Sequence, residues 1–378
     1  IGAGDRARAE RVLMQTLLLL AALCVALGVF GTAVGRVVLG WMGASGGLLD
    51  AAYAYLRAVM IGLLAMEALP CIDNIVRGAG HPEYTLLANL VAVLVMLLST
   101  PLLVAGRWLG LGAAGAGWSA AVGSLAGSAL LLALLWRGTA GVRLRAKALV
   151  PDGALLAELV RIGLPATAQR LSLNVGNALF MALITGLGKP VLVAYSVVNR
   201  VTGFLLCPVT GVGMATATLV GQNLGAGQVH RARQAIRQST LVGVVSVAVL
   251  IGLLNVWPRP ILRLFTRDGE AIRQGIVAAR FMLYIGLASA CNNTLSGGLT
   301  GAGDTLSPMA ANLAAEYAVQ LPIAWLLVRA VPVGPLAIWI ALAVGQTVAA
   351  AALGVVIKRG PWRRRWAAQR GPGPEPQA

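Results

Sequence analysis

The sequence predicts an all-α polytopic membrane protein built from two homologous helical bundles, and three observations predict it. Hydrophobic residues make up 58% of the 378, charged residues only 11%, and the mean hydropathy is +0.80. A water-facing domain has no need of so apolar a surface, so the bulk solvent is lipid. The apolar residues come in stretches of about 20 or more, the length a helix needs to cross a bilayer core about 30 Å thick. Finally, the chain repeats itself at a constant offset of 223 residues. Period-two alternation is absent, which argues against a β-barrel.

Ten spans are expected, at roughly 12–33, 50–76, 84–106, 111–136, 159–187, 190–222, 235–257, 270–299, 306–330 and 333–357. The first is VLMQTLLLLAALCVALGVFGTAV, which runs into a polar link at Ser45-Gly46. The second carries Arg57, Glu67 and Pro70, and ends in the turn RGAGHPEY. LLANLVAVLVMLLSTPLLVAG makes the third, and an apolar fourth span follows before a basic link near 137–147. The fifth, opening RIGLPATAQRLSLNVGNAL, is unusually polar for a membrane helix, and the sixth ends in VGQNLGAG. Span nine follows TGAGDTLSP and carries ANLAAEYAVQLP. Prolines 70, 101, 165, 208 and 322 lie inside spans, where each frees a carbonyl and is expected to kink its helix.

The repeat sets the organisation. At an offset of 223, Gly2 pairs with Gly225, Gly4 with Gly227, Arg8 with Arg231 and Gln15 with Gln238. Arg57 then pairs with Arg280 and Ser45-Gly46 with Asp268-Gly269, while RGAGHPEYTLLANL (77–90) faces TGAGDTLSPMAANL (300–313). One offset held over so long a stretch means duplication of a multi-span unit. The second copy has two spans before its QNLGAG phrase, whereas residue 1 falls inside the first copy's version of that phrase. The whole is therefore expected to hold two six-helix bundles, with about ten helices in this fragment and the first two missing. The expected boundaries are a first lobe at 1–148, a second at 149–357 and a basic, Pro/Gly-rich tail at 358–378. Units with an even number of spans share one orientation, so the halves are related by an axis along the membrane normal.

The net charge is +17. With the N-terminal stub inside, inner segments hold 17 Lys and Arg against 8 in outer ones, which places both termini in the cytoplasm of a cell's inner (plasma) membrane. The same bias explains the charge without nucleic acid, because no recognition pattern accompanies the basic residues. PWRRRW is expected to rest on anionic headgroups, and the end of the tail to be disordered. Cys24, Cys71, Cys207 and Cys291 lie singly in apolar segments, as packing residues with no disulfide or metal spacing. No catalytic constellation, HExxH motif or phosphate loop is present, and both histidines, His81 and His230, follow Gly-Ala-Gly turns. No cofactor, metal or obligate protein partner is expected.

Taken in order, LVGQNLGAGQVHRARQAI, LRLFTRDGEAI, LTGAGDTLSP and QLPIAWLL resemble the multidrug and toxic compound extrusion (MATE) family, as do RIGLPATAQ and IVRGAGHPEYTLLANL. The resemblance covers residues 1–357 and implies two six-helix lobes forming a V. It also implies export of organic, often cationic compounds or drugs, driven by inward flow of protons or sodium ions. Two branches of the family carry intramembrane acids that this chain lacks. Where the NorM type has a Glu and an Asp, this chain shows Leu173 and Ser289. The DinF type's Asn-x-x-x-Asp-Pro corresponds here to Met96 through Thr100-Pro101.

The coupling or substrate candidates therefore come from the residues themselves. A charge in hydrocarbon costs about 2.5–3.5 kcal/mol on insertion scales, so a midspan carboxylate needs a cavity, a partner or a proton. Glu316 is such a group, with Tyr317, Gln320 and Pro322 close behind; Glu316 and Gln320, four apart, share a helix face and are expected to line a wet cavity. Glu67 is a second, and neither acid has an acidic partner at the 223 offset. Asp73 is a third, although a local ion pair with Arg77 accounts for it as well. Gln169 and Arg170 are expected to face the cleft between lobes, while Asn174 and Asn177 form either a polar face or helix-to-helix hydrogen bonds. Gly225, Gly227, Gly301 and Gly303 are read as helix stops in left-handed turns, with Asp304 capping the next helix. Two other readings remain at this stage: a flippase for lipid-linked sugars, and a membrane scaffold that moves nothing.

Overall fold

Small residues decide how these helices pack. The structure, a computed structural model, describes residues 6–105, 110–138, 150–264, 269–330 and 336–360. Gly2, Gly4, Arg107, Arg143, Arg145, Lys147, the lobe boundary at 148, Arg267, Asp268 and the tail from 361 lie outside them. The chain divides into two compact units, Ala3–Leu159 and Val160–Ala378.

In the first unit α1 is Arg6–Trp41, α2 Gly46–Ile61, α3 Leu63–Gly78, α4 Pro82–Val104 and α5 Ala113–Arg137. The buried residues of α5 include Gly115, Gly117, Ser119, Ala121, Gly123 and Gly127, whereas Leu125 and Trp136 are exposed. This inversion, small inside and large outside, is how helices pack when lipid is as apolar as leucine. A Cβ on Gly123 would stand 2.6 Å from the carbonyl oxygen of Ala92, so α4 and α5 meet backbone to backbone. Nearer the ends of the helices, Leu13, Leu69, Ile72, Val76, Leu131 and Leu135 close the core.

The second unit holds most of α6 (Gly153–Thr185), followed by α7 (Lys189–Gly225), α8 (Val229–Val256), α9 (Pro258–Arg263), α10 (Gly269–Gly301), α11 (Leu306–Leu313), a π-helical segment (Ala314–Gln320), α12 (Leu321–Ala330) and α13 (Leu336–Arg359). Here α7 lies against α10 through the same device. A Cβ on Gly297 would overlap the carbonyl oxygen of Gly213 and stand 3.0 Å from its carbonyl carbon.

The duplication extends through the whole bundle. Gly46 opens α2 and Gly269 opens α10; Gly78 closes α3 and Gly301 closes α10; Ala113 opens α5 and Leu336 opens α13, each pair 223 apart. The turns repeat at bond level. Ala79, Gly80 and His81 donate to the carbonyls of Ile75, Arg77 and Val76, and Ala302, Gly303 and Asp304 donate to Gly298, Thr300 and Leu299. Gly80, Gly227 and Gly303 sit at φ 96°, 78° and 80°, the left-handed stop that glycine adopts without a Cβ penalty.

Two expectations need correction. Gly225 and Gly301 are final helical residues and not the left-handed stops; Gly301 instead lets the backbone of α10 approach Ala217 on α7. The second span is not continuous: it bends by 48° at Gly62, while the helix carrying Pro70 runs on through it. At Gly62 the chain lies close against α5, where an added Cβ would stand 2.6 Å from that of Ala121. Helix also continues through Pro101, Pro165 and Pro208. By length and composition eight helices among the described residues can cross a membrane, or nine with α2 and α3 taken as one bent span. The expected tenth, α6, is long enough at 33 residues but interrupted by Gln169, Arg170, Asn174 and Asn177.

Candidate functional site

Pro322 shapes the centre of the span that holds Glu316. It cannot donate to the carbonyl of Ala318, and its ring crowds that oxygen, so an ordinary α-helical turn is unavailable there. The chain widens into a π turn over Ala314–Gln320, with the N–H of Leu321 reaching the carbonyl of Glu316 five residues back. Such widened turns occur frequently at functional positions.

Glu316 is 7% exposed. Its carboxylate fills the place left by the missing side chain of Gly176 on α6, where a Cβ would overlap Oε1 and stand 3.1 Å from Cγ. Oε2 is buried and has no hydrogen-bond partner among the described residues. The next residue fixes the register: the Tyr317 hydroxyl donates to the carbonyl of Ser172 at 2.6 Å. Below it, Thr305 Oγ1 donates to the carbonyl of Ile162 at 3.1 Å. The span thus leans on α6 at three levels, and Glu316 is the only one of the three side chains with an oxygen left over.

Gln320, 8% exposed, is handed to another neighbour. It packs against Gly345 of α13, where a Cβ would meet its Oε1 at 2.6 Å. Glu316 and Gln320 therefore do not share an open face here; each fills a notch made by a glycine on a different helix.

The remaining candidates are scattered. Gln169 is half-buried, while Arg170, Asn174 and Asn177 are exposed and make no side-chain hydrogen bond among the described residues. The buried line of α6 is Gly176, Phe180 and Ile184, and the two asparagines lie off it. Glu67 is exposed on α3. Asp73 is buried and paired with Arg77 one turn on, and also accepts from Asn89 Nδ2 at 3.4 Å.

One polar constellation escaped the sequence reading. Asn292 Nδ2 on α10 donates to Asn312 Oδ1 at 2.9 Å and to Gln346 Oε1 at 3.3 Å, and Ser289 Oγ donates to that same oxygen at 3.4 Å. Its signal was the spacing 289, 292 and 296 on one face of α10. At the 223 offset Asn312 stands where Asn89 stands in the first unit; Asn89 bonds Asp73 of α3, whereas Asn312 bonds Asn292 of α10, and Ser296, the counterpart of Asp73, bonds Asn292 within its own helix. Among the described residues no cluster of three or more His, Cys, Asp and Glu is placed to hold a metal.

Chemically, the arrangement offers one buried oxygen without a donor. A carboxylate in such surroundings carries its charge only in company with a cation. Hydroxyl and amide groups hold its helix in place without neutralising it.

Residues 1–102 and 165–326 match the family described as MatE. A probable multidrug resistance protein NorM of Thermotoga maritima is 21% identical over 295 residues, 78% of this chain; the chain spans 63% of that relative's length. The protein of the same name from Deinococcus radiodurans is 31% identical over 327 residues, covering 80% of this chain and 68% of the relative. The fold resembles the solved outward-facing conformation of a multidrug resistance MATE family transporter of the MOP superfamily, with a TM-score of 0.88 at 20% identity over 98% of this chain and 81% of that one.

Proposed function

Because the chain belongs to the MatE family, we propose that it works as a secondary antiporter, exporting organic and often cationic compounds by alternating access and driven by protons or sodium ions. Membership places it among multi-pass transporters and not among enzymes. The observation that carries the reading is Glu316: a carboxylate buried in a membrane helix, seated in a glycine notch, with Oε2 lacking a donor.

The mechanism is an exchange of positive charges on that carboxylate. With the site open to the inside, a cationic substrate pairs with Glu316 and the proton or sodium ion departs. With the site open to the outside, the coupling ion returns to Oε2 and the substrate, having lost its counter-charge, leaves. The carboxylate is neutralised throughout, so neither half-cycle leaves a bare charge in the hydrocarbon. Tyr317 holds the turn by its bond to Ser172, and Gly176 sets where the carboxylate rests. Exposed Asn174 and Asn177 supply polar contacts for substrates on the α6 surface. The basic-residue bias supports an inner-membrane location with both termini cytoplasmic. A flippase for lipid-linked sugars needs several cations to hold phosphates, and α6 offers two, Arg170 next to Gln169 and Arg161 more than two turns earlier.

The test is export of a cationic dye into the lumen of everted vesicles containing the full-length protein, whose cytoplasmic face is outward, under an imposed proton or sodium gradient. One gradient should drive efflux by wild type, and Glu316→Gln should reduce it to the background of empty vesicles. Gradient-driven efflux at the wild-type rate in that variant removes Glu316 from the mechanism.

A further inference from the structure

A groove of about 680 Å³ opens beside the start of α8 and the end of α13, with Leu295 of α10 at its floor. That volume is within the range of small-molecule sites, roughly 300–1,000 Å³. His230, Arg233 and Arg237 line one wall, one face of the first turns of α8, and Lys358 stands on the other beside Gly354 and Ile357. All four basic side chains are exposed, and none is paired with a carboxylate among the described residues. The rest of the lining is Gln234 and Thr240 with the apolar Ile236, Leu295 and Ile357.

Membrane topology places basic residues at this level in both copies, Arg6, Arg8 and Arg11 in the first among them, and the internal duplication shows which positions differ. The offset of 223 carries Arg231 onto Arg8, so that arginine belongs to both copies as an anchor. The groove's own cations are not repeated: His230, Arg233, Arg237 and Lys358 correspond to Ala7, Glu10, Met14 and Leu135. The residues that shape the groove differ too. Gly354 corresponds to Leu131, and in the first unit Leu13, Ile72, Leu131 and Leu135 fill a single core cluster. The second unit has Gly354 and Lys358 where its sibling buries Leu131 and Leu135, and positive charge lines its groove.

We propose that this groove binds an anionic phospholipid, with the phosphate held by Arg233, Arg237 and Lys358 and an acyl chain lying over Leu295, Ile236 and Gly354. Guanidinium groups suit phosphate oxygens because they donate two hydrogen bonds in a fixed plane, and Lys358 adds a point charge from across the groove. The groove offers both cations and apolar side chains, which matches the headgroup and chain of one lipid molecule. Basic pockets between membrane helices are the arrangement in which such lipids are recognised.

The experiment is native mass spectrometry of the purified full chain with phosphatidylglycerol, cardiolipin or phosphatidylcholine, with glycerol phosphate as a soluble headgroup probe. Wild type should retain the anionic lipids over phosphatidylcholine. The combined variant Arg233→Gln, Arg237→Gln, Lys358→Gln should lose that retention by about tenfold or more, while Arg231→Gln should not. Gly354→Leu places the residue of the sibling copy at a groove position where an added Cβ meets open space. It should reduce retention with every cation in place and the thermal unfolding unchanged. Equal retention of anionic and zwitterionic lipid, equal retention by the combined variant and wild type, or glycerol phosphate binding as tightly as the whole lipid would each overturn the proposal.

Discussion

Gly176→Ala perturbs the candidate site with a single methyl group. The new Cβ would overlap Oε1 and Cδ of Glu316 and stand 3.1 Å from Cγ. Alanine is favoured over glycine inside a helix by about 0.8–1.0 kcal/mol, while overpacking costs about 1–3 kcal/mol. The balance against folding is therefore between about zero and 2 kcal/mol. It falls at the low end, because the obstacle is the far end of a flexible side chain that can swing aside. The carboxylate then leaves its notch, and if the 1–3 kcal/mol is lost from cation affinity instead of from folding, that affinity drops by about 5- to 150-fold. The assay pairs thermal unfolding of the purified protein with gradient-driven dye efflux, for Gly176→Ala, Glu316→Ala and the double variant. Unfolding should move little, efflux should fall in both single variants, and the double variant should show an interaction energy, since removing the carboxylate removes the clash. Wild-type efflux in Gly176→Ala with strictly additive effects in the cycle refutes the notch.

Gly297→Ala tests the opposite case: its Cβ meets the backbone of Gly213, which cannot swing, so unfolding should come at lower temperature by the equivalent of about 1–3 kcal/mol. Tyr317→Phe removes the hydroxyl bond to Ser172 and should cost about 0.5–1.5 kcal/mol in chemical denaturation while leaving dye efflux measurable. Arg77→Gln leaves buried Asp73 with only the long bond from Asn89 and should destabilise by about 1–3 kcal/mol, again read by denaturation. If protons are the coupling ion, dye efflux at fixed membrane potential should vary with pH in wild type and be flat for Glu316→Gln.

The duplicated frame was legible because it is written in spacing. A match between Gly-Ala-Gly turns forecasts where helices end, and Gly46, Gly78 and Ala113 each have a counterpart 223 residues on. The acid at 316 was legible as well, since a carboxylate in an apolar run is costly wherever it lies. Its surroundings were not. The notch at Gly176 depends on which helix faces the π turn, and a glycine amid Asn174 and Asn177 reads as one more break in an already polar segment. The bend at Gly62 was hidden for a similar reason: Pro70 carried the stronger local signal, but the close approach at Gly62 is to Ala121 of another helix. The widening at Ala314–Gln320 belongs to Pro322, yet Pro101 in the other copy lies within ordinary helix, so a proline alone does not forecast it. The amide cluster of Asn292, Asn312 and Gln346 joins three separate segments, and no single stretch of sequence displays it.

The most direct measurement is binding of tetraphenylphosphonium to the purified full-length protein, titrated at several pH values and sodium concentrations. If Glu316 exchanges one cation for another, the lipophilic cation and the coupling ion compete for a single site, and Glu316→Gln binds it weakly and without regard to pH or sodium. An affinity in wild type that ignores both ions, or a Glu316→Gln protein that retains the full competition, contradicts the account.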